Sequence, residues 1–296
     1  MSTLDHKLTR RAMLARTVQA TAAAAALATS FRPLLAAPQS RWFKIGACDW
    51  SLGKMASTAA FDVAKEIGLD GVQVSLGTLA DDMQLRKPEV QKAYLDACKK
   101  TGLEIGSIAI GEMNNVPLKS DPRAAQWLLD SIGVCKALGV KVVMPACFGK
   151  GDLNMQNAQE IDHLVKVLKE AAAKAEKQGV LIGLEDYLSA EDNMKIIERV
   201  GSPALKVYYD VGNSTDKGRD VHKEIRLLGN LICEFHAKDA GHRLGQGRID
   251  FKTVRKAMDD IGYSGWIHLE SSHPKGVVAD YTTDCKYLKG IFPLKG

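Results

Sequence analysis

From residue 43 onward the chain alternates between short apolar runs rich in β-branched residues and longer amphipathic runs rich in Ala, Lys and Glu. The apolar runs are FKIGACDW (43–50), GVQVSLG (71–77), EIGSIAIG (104–111), KVVMPACF (141–148), VLIGLEDY (180–187), LKVYYDVG (205–212), ICEFHAKD (232–239) and GWIHLESS (265–272). Such short, nearly continuous apolar stretches predict parallel strands covered on both faces. The amphipathic runs predict helices over 58–68, 88–101, 121–138, 157–178, 190–200, 220–228, 250–261 and 278–291. Gly68, Gly102, Gly139, Gly179, Gly201, Gly229 and Gly262 fall just past periodic stretches, where helices stop. Strands separated by helices imply right-handed parallel crossovers. Eight of them without a long insertion favour closure into a (β/α)8 barrel over an open doubly wound sheet. No Gly-x-Gly-x-x-Gly turn follows the first strand, which weakens a dinucleotide-binding alternative.

With 296 residues and 46% hydrophobic content, the chain can bury a full core as one large α/β domain or two small ones, and no linker divides it after residue 43. Its beginning reads differently. Thr9-Arg10-Arg11-Ala12-Met13-Leu14 precedes a weakly hydrophobic, alanine-rich stretch from Val18 to Ala28, which resembles a twin-arginine export signal with an Ala-x-Ala cleavage site ending at Ala28. The expected organisation is a signal peptide over 1–28, a linker over 29–42 and a catalytic barrel over 43–296, exported to the periplasm by the twin-arginine machinery. Cutting after Ala28 removes Lys7, Arg10, Arg11 and Arg16 against Asp5, which lowers the formal charge from +5 to +2. The mature domain therefore lacks the concentrated positive charge that grips a phosphate backbone, and no nucleic-acid partner is expected.

Six widely spaced cysteines, Cys48, Cys98, Cys135, Cys147, Cys233 and Cys285, form no Cys-x-x-Cys pair, which argues against a zinc ribbon or a disulfide framework. A different set of metal-ligand types recurs at strand ends. Glu185 closes VLIGLE, Asp210 closes LKVYYD, His236 closes ICEFH and Glu270 closes GWIHLE, at steps of 25, 26 and 34 residues. Each step is about one strand plus one helix, and in a barrel the C-terminal strand ends converge on one pocket. An acid on a strand covered on both faces must be paired, protonated or metal-bound. Two Glu, one Asp and one His make an oxygen-rich site for one divalent ion, suited to Mn²⁺, Mg²⁺ or Co²⁺ and open to Zn²⁺.

The motifs GLED around Glu185, YYDVGN with Asp210 and Asn213, EFHAKD with His236 and Lys238, the GQGRIDF loop, and IGYSGWIHLE ending at Glu270 resemble those of the sugar phosphate isomerase/epimerase superfamily. These are xylose-isomerase-like TIM barrels, which include tagatose 3-epimerase-like, inosose dehydratase-like and endonuclease IV-like enzymes. The resemblance covers residues 43–291. It implies a metal held by Glu185, Asp210, His236 and Glu270, with Glu185 and Glu270 exchanging protons with a carbon beside a carbonyl through an enediolate. It also makes a homodimer a common outcome.

Further substrate-binding candidates are Asn213, as a hydrogen-bonding group or a helix cap, and Lys238, which shares strand parity with His236. Trp50 could stack on a sugar ring or seal the barrel, and His242 and Arg248 sit on loops at the same end. His268 lies one inward step below Glu270. Four functions remain open on these residues: a sugar isomerase or epimerase; a lyase or dehydratase on a keto-sugar or 3-keto-glycoside using the same metal site; an endonuclease IV-like nuclease; and a non-catalytic periplasmic carbohydrate-binding protein. The nuclease would need several more histidines, and strands two and three offer none.

Overall fold

The structure is a computed structural model that describes residues 42–239 and 241–293. The expected signal peptide over 1–28 and all of the linker except Trp42 lie outside the described residues. Eight parallel strands close into a barrel in sequential order. They are β1 (Phe43–Cys48), β2 (Gly71–Ser75), β3 (Glu104–Ile110), β4 (Val142–Pro145), β5 (Leu181–Leu184), β6 (Leu205–Asp210), β7 (Ile232–Ala237) and β8 (Gly265–Leu269). Closure comes from β8 pairing with β1, with Phe43 opposite Gly265 and Ala47 opposite Leu269.

The intervening helices are α1 (Ala59–Ile67), α2 (Pro88–Thr101), α3 (Pro122–Leu138), α4 (Ala158–Gln178), α5 (Ala190–Val200), α6 (Val211–Asp216), α7 (Val221–Leu228), α8 (Phe251–Asp260) and α9 (Val277–Ile291). Their starts follow local chemistry: Asn157 accepts a hydrogen bond from the Glu160 amide and Ser189 from the Asp192 amide, satisfying donors that a helix N-terminus leaves open. Among the described residues no helix is long and apolar enough to cross a membrane.

The main core fills the layer between barrel and helices, around residues such as Phe61, Leu128, Leu168, Ile196, Phe235 and Leu288. Inside the barrel the filling is different. A small apolar cluster of Ala109, Val142, Met144, Ala146 and Tyr208 shares the lumen with a buried polar column of Gln73, Ser107, Glu234 and His268. Room for this column comes partly from Gly46 and Gly106, whose Cβ positions would fall 2.5 and 2.3 Å from atoms of the His268 ring. The lumen below the mouth is thus hydrogen-bonded as well as packed.

Candidate metal centre

Alternation along β7 turns Glu234 and His236 into the barrel and Phe235 out to the helices. His236 reaches the mouth, where Glu185 follows β5, Asp210 ends β6 and Glu270 follows β8. One ligand atom from each of Glu185, Asp210, His236 and Glu270 lies within 4.8 Å of the others, and among the described residues this is the single group of three or more such side chains placed to hold a metal. Nδ1 of His236 is 2.7 Å from Glu185 Oε1 and 3.8 Å from Glu270 Oε2. Asp210 uses Oδ1 to cap α6, accepting from the Gly212 amide at 2.7 Å and the Asn213 amide at 3.0 Å. Its Oδ2 is buried without a hydrogen bond. Gly212 is the one residue type that fits there, since a Cβ would meet the Lys238 stem at 2.7 Å.

Whether this set suits a divalent ion can be tested on His236. Its Nε2 lies 2.7 Å from Gln73 Oε1, an acceptor only, so Nε2 carries a hydrogen and Nδ1 offers a lone pair toward Glu185 Oε1. Two acceptors 2.7 Å apart require a cation between them, either a proton or a metal. Without metal it is a proton: although burial opposes it, the Glu185 carboxylate pushes the imidazole well above its usual range. Burial raises Asp210 to about 7, and the Glu270 carboxylate adds to the shift. Burial acts the same way on Glu270, but the His236 charge and the Lys238 ammonium outweigh it and hold that carboxylate below its ordinary value. The donors, the unsatisfied Asp210 oxygen and the shared proton all fit an oxygen-preferring divalent ion.

Lys238 stands 3.2 Å from Glu270 Oε2 and 3.7 Å from Asp210 Oδ2, and Trp50 Nε1 donates to Glu270 Oε1 at 3.1 Å. Above these groups opens a cavity of about 280 Å³, near the lower end of the ~300–1,000 Å³ typical of ligand clefts and so on the scale of a small molecule. Trp50, Met55, Met144, Ala146 and Phe148 give it apolar walls, and Ser75, Glu112, Asn114 and Asn115 supply polar groups away from the carboxylates.

The other candidates fall in different places. Asn213 is buried in the first turn of α6, where its amide is capped by Asp210; its side chain is not part of the cavity lining, and the cap is Asp210 itself. His242 and Arg248 are exposed and do not line the cavity. Arg248 pairs with Asp216, and the GQGRIDF loop is tied to Asp239, whose carboxylate accepts from the Arg248 and Ile249 amides. Gly247 is needed there because a Cβ would sit 2.3 Å from Asp239 Oδ1. That loop therefore closes a turn. His268 bonds through Nδ1 to the Tyr208 hydroxyl at 2.7 Å, in the column below the ligands. Gln73 and Glu112 are additions that motif reading did not single out.

This fold defines a class: the chain belongs to the xylose isomerase-like TIM barrels, whose family description matches residues 61–291. Among its relatives is a 2-epi-5-epi-valiolone 7-phosphate 2-epimerase of Actinoplanes sp., 24% identical over 178 residues, a match that covers 60% of this chain and 65% of that protein. Among solved structures, a D-allulose 3-epimerase from Methylomonas sp. superposes with a TM-score of 0.71 at 17% identity, covering 86% of this chain and 100% of that one. The 3-keto-D-glucoside 4-epimerase YcjR from E. coli does so with a TM-score of 0.70 at 14% identity, covering 84% and 99%. These three are epimerases by name.

Proposed function

We propose that this protein is a divalent-metal-dependent sugar isomerase or epimerase that moves a proton at a carbon beside a carbonyl. The observation that carries the reading is the meeting of two carboxylates from different strands, Glu185 and Glu270, in the lining of a monosaccharide-sized cavity, with ligand atoms of His236 and Asp210 within 4.8 Å of them. When bound, Mn²⁺, Mg²⁺, Co²⁺ or Zn²⁺ would act as a Lewis acid that polarises a carbonyl and makes the neighbouring C–H more acidic. Glu185, Asp210, His236 and Glu270 would hold it. Glu270, kept ionised beside Lys238 and oriented by Trp50 Nε1, is the base we assign to proton removal. Glu185 is assigned the return of a proton, so that either face of the carbon can be served. We assign Lys238, 3.2 Å from Glu270 Oε2, a hydrogen bond to a substrate oxygen held against that carboxylate. The apolar walls of Trp50 and Phe148 exclude water and offer faces for sugar C–H groups.

A second reading, a lyase acting on a keto-glycoside, uses the same proton abstraction and expels a leaving group. It is favoured by the arginine pair Arg10-Arg11, which we propose directs export to a compartment that oxidised glycosides reach. The test is proton exchange. The purified chain, stripped with chelator and reloaded with Mn²⁺, is incubated in D₂O with a panel of ketoses and 3-keto-glucosides and followed by NMR. Metal-dependent deuterium uptake beside the carbonyl, lost in Asp210→Asn, supports the proposal; release of the aglycone selects the lyase. Equal uptake in the metal-free protein would end it.

A further inference from the structure

We infer that the cavity takes an uncharged keto-sugar and discriminates against the corresponding phosphate ester, with Glu112 setting that preference. The inference rests on the proton-transfer reading above and names the substrate class of that same site. Glu112 lies in the Gly111–Asn114 turn that follows β3 and lines the cavity. In the closed strand order β3 stands across the barrel from β7, which carries His236. A sugar held at the carboxylate side therefore extends toward Glu112.

The charges make the distal end hostile to an anion. Glu112 Oε1 accepts from the Leu79 amide and Oε2 from Asn115 Nδ2, both at 3.3 Å. These are long bonds from neutral donors, and the carboxylate has no cationic partner among the described residues. On the near side, the three ligand carboxylates would be offset by a divalent ion and the Lys238 ammonium, which leaves the charge of Glu112 in excess. Among the described residues no lysine or arginine lines the cavity; the Lys238 ammonium lies outside that lining, paired with Glu270 on the carboxylate side. Lys119 is engaged by Glu160 at 2.8 Å and by the Asp152 carbonyl, and Lys150, beside the Phe148 wall, is exposed outside the lining. A phosphate monoester, carrying about −1.5 to −2 at neutral pH, would enter facing like charge with no fork or ammonium to receive it. A hydroxyl at the same place can donate to Glu112 and accept from an amide nitrogen.

The experiment titrates the Mn²⁺-loaded full chain calorimetrically with D-allulose and with D-allulose 6-phosphate, in wild type, Glu112→Gln and Lys150→Ala. We expect the free ketose to bind at least about tenfold more tightly than the ester, and Glu112→Gln to shrink that ratio by raising affinity for the ester. An ester that binds wild type as tightly as the ketose overturns the inference, most directly if Lys150→Ala then weakens the ester alone. A ratio that Glu112→Gln leaves unchanged removes Glu112 from the explanation, and binding of neither ligand rejects the substrate class. The expected ratio without deuterium exchange would sink the proton-transfer reading while the charge preference stands.

Discussion

Gln73 Oε1 sits 2.7 Å from Nε2 of His236, and both side chains are fully buried. The amide is itself held: Gln73 Nε2 donates to Ser107 Oγ at 3.1 Å, and Cys48 Sγ donates to the same Gln73 oxygen at 3.2 Å. Burial pushes the Cys48 thiol up to about 12, so it remains a donor at neutral pH. The chain from Ser107 to His236 fixes the tautomer that turns Nδ1 toward the carboxylates. Gln73→Leu is therefore expected to weaken Co²⁺ binding by about 10- to 100-fold and to alter the d–d absorption of the bound ion, while Gln73→Glu, which keeps an acceptor, retains more affinity. Unchanged affinity and spectrum in Gln73→Leu would show that the imidazole is oriented by other contacts.

Asp210→Asn keeps the Oδ1 acceptor that caps α6 but removes the charge at the buried, unsatisfied oxygen. It should fold and lose metal, falling from about one ion per chain to none measurable by plasma emission, as should His236→Ala. Glu270→Gln should retain part of the metal and lose deuterium exchange.

Metal uptake should also depend on pH, with a known sign. In the metal-free protein, burial and then Glu270 raise Asp210 to about 7, and His236 holds a proton well above its usual range. Protons thus compete with the ion, and apparent affinity should rise as pH is raised through 7. Titrating Mn²⁺ at pH 6, 7 and 8 checks this; a flat profile would mean that the ligands are already deprotonated.

The barrel and the convergence of the candidate quartet were legible because each rests on a local signal. Eight apolar runs mark strands covered on both faces, and Glu185, Asp210, His236 and Glu270 stand out as polar residues at their ends. What stayed hidden depends on contacts across the barrel. Gln73 looks like an ordinary polar residue until β2 turns it toward β7. Helix α6 is built from VGNSTD, poor helix formers that start a helix because Asp210 caps them. His242 and Arg248 were drawn toward the pocket by their place after β7, but Asp239 ties the loop that bears Arg248 into a turn and both side chains stay exposed. Glu112 belongs to no motif, and it comes into view only as part of the cavity lining.

The His268 ring leaves no slack beneath the site. It stacks on Trp266 with centroids 5.4 Å apart, bonds to Tyr208, and nearly touches the backbone at Gly106, where a Cβ would lie 2.3 Å from Nε2. Gly106→Ala should cost about 1–3 kcal/mol in urea unfolding, the usual penalty for overpacking. Combined with His268→Ser it should cost less than the sum of the two single changes, because the clashing ring is gone. Strict additivity would place the clash elsewhere.

Asp49 joins the loop after β1 to β2: its carboxylate accepts from the Ala56 amide at 3.0 Å, the Ser75 amide at 2.8 Å and the Ser75 hydroxyl at 2.7 Å. Burial nevertheless raises it from 3.8 to about 6, the three bonds only partly opposing the shift. A carboxyl with a raised folded pKa keeps its proton in the native state while the unfolded chain has released it. Native stability therefore falls as pH rises from about 4 through 6, by on the order of 1.4 kcal/mol per unit for this group. Asp49→Asn cannot titrate, and it presents an amide where the Ser75 donors need an acceptor, so it should destabilise by about 1–3 kcal/mol. The gap between wild type and variant, measured by urea unfolding at pH 4.5 and 7, should be wider at the lower pH. A gap that widens toward pH 7 would mean that the ionised carboxylate is the form the fold stabilises, and that its three donors outweigh its burial.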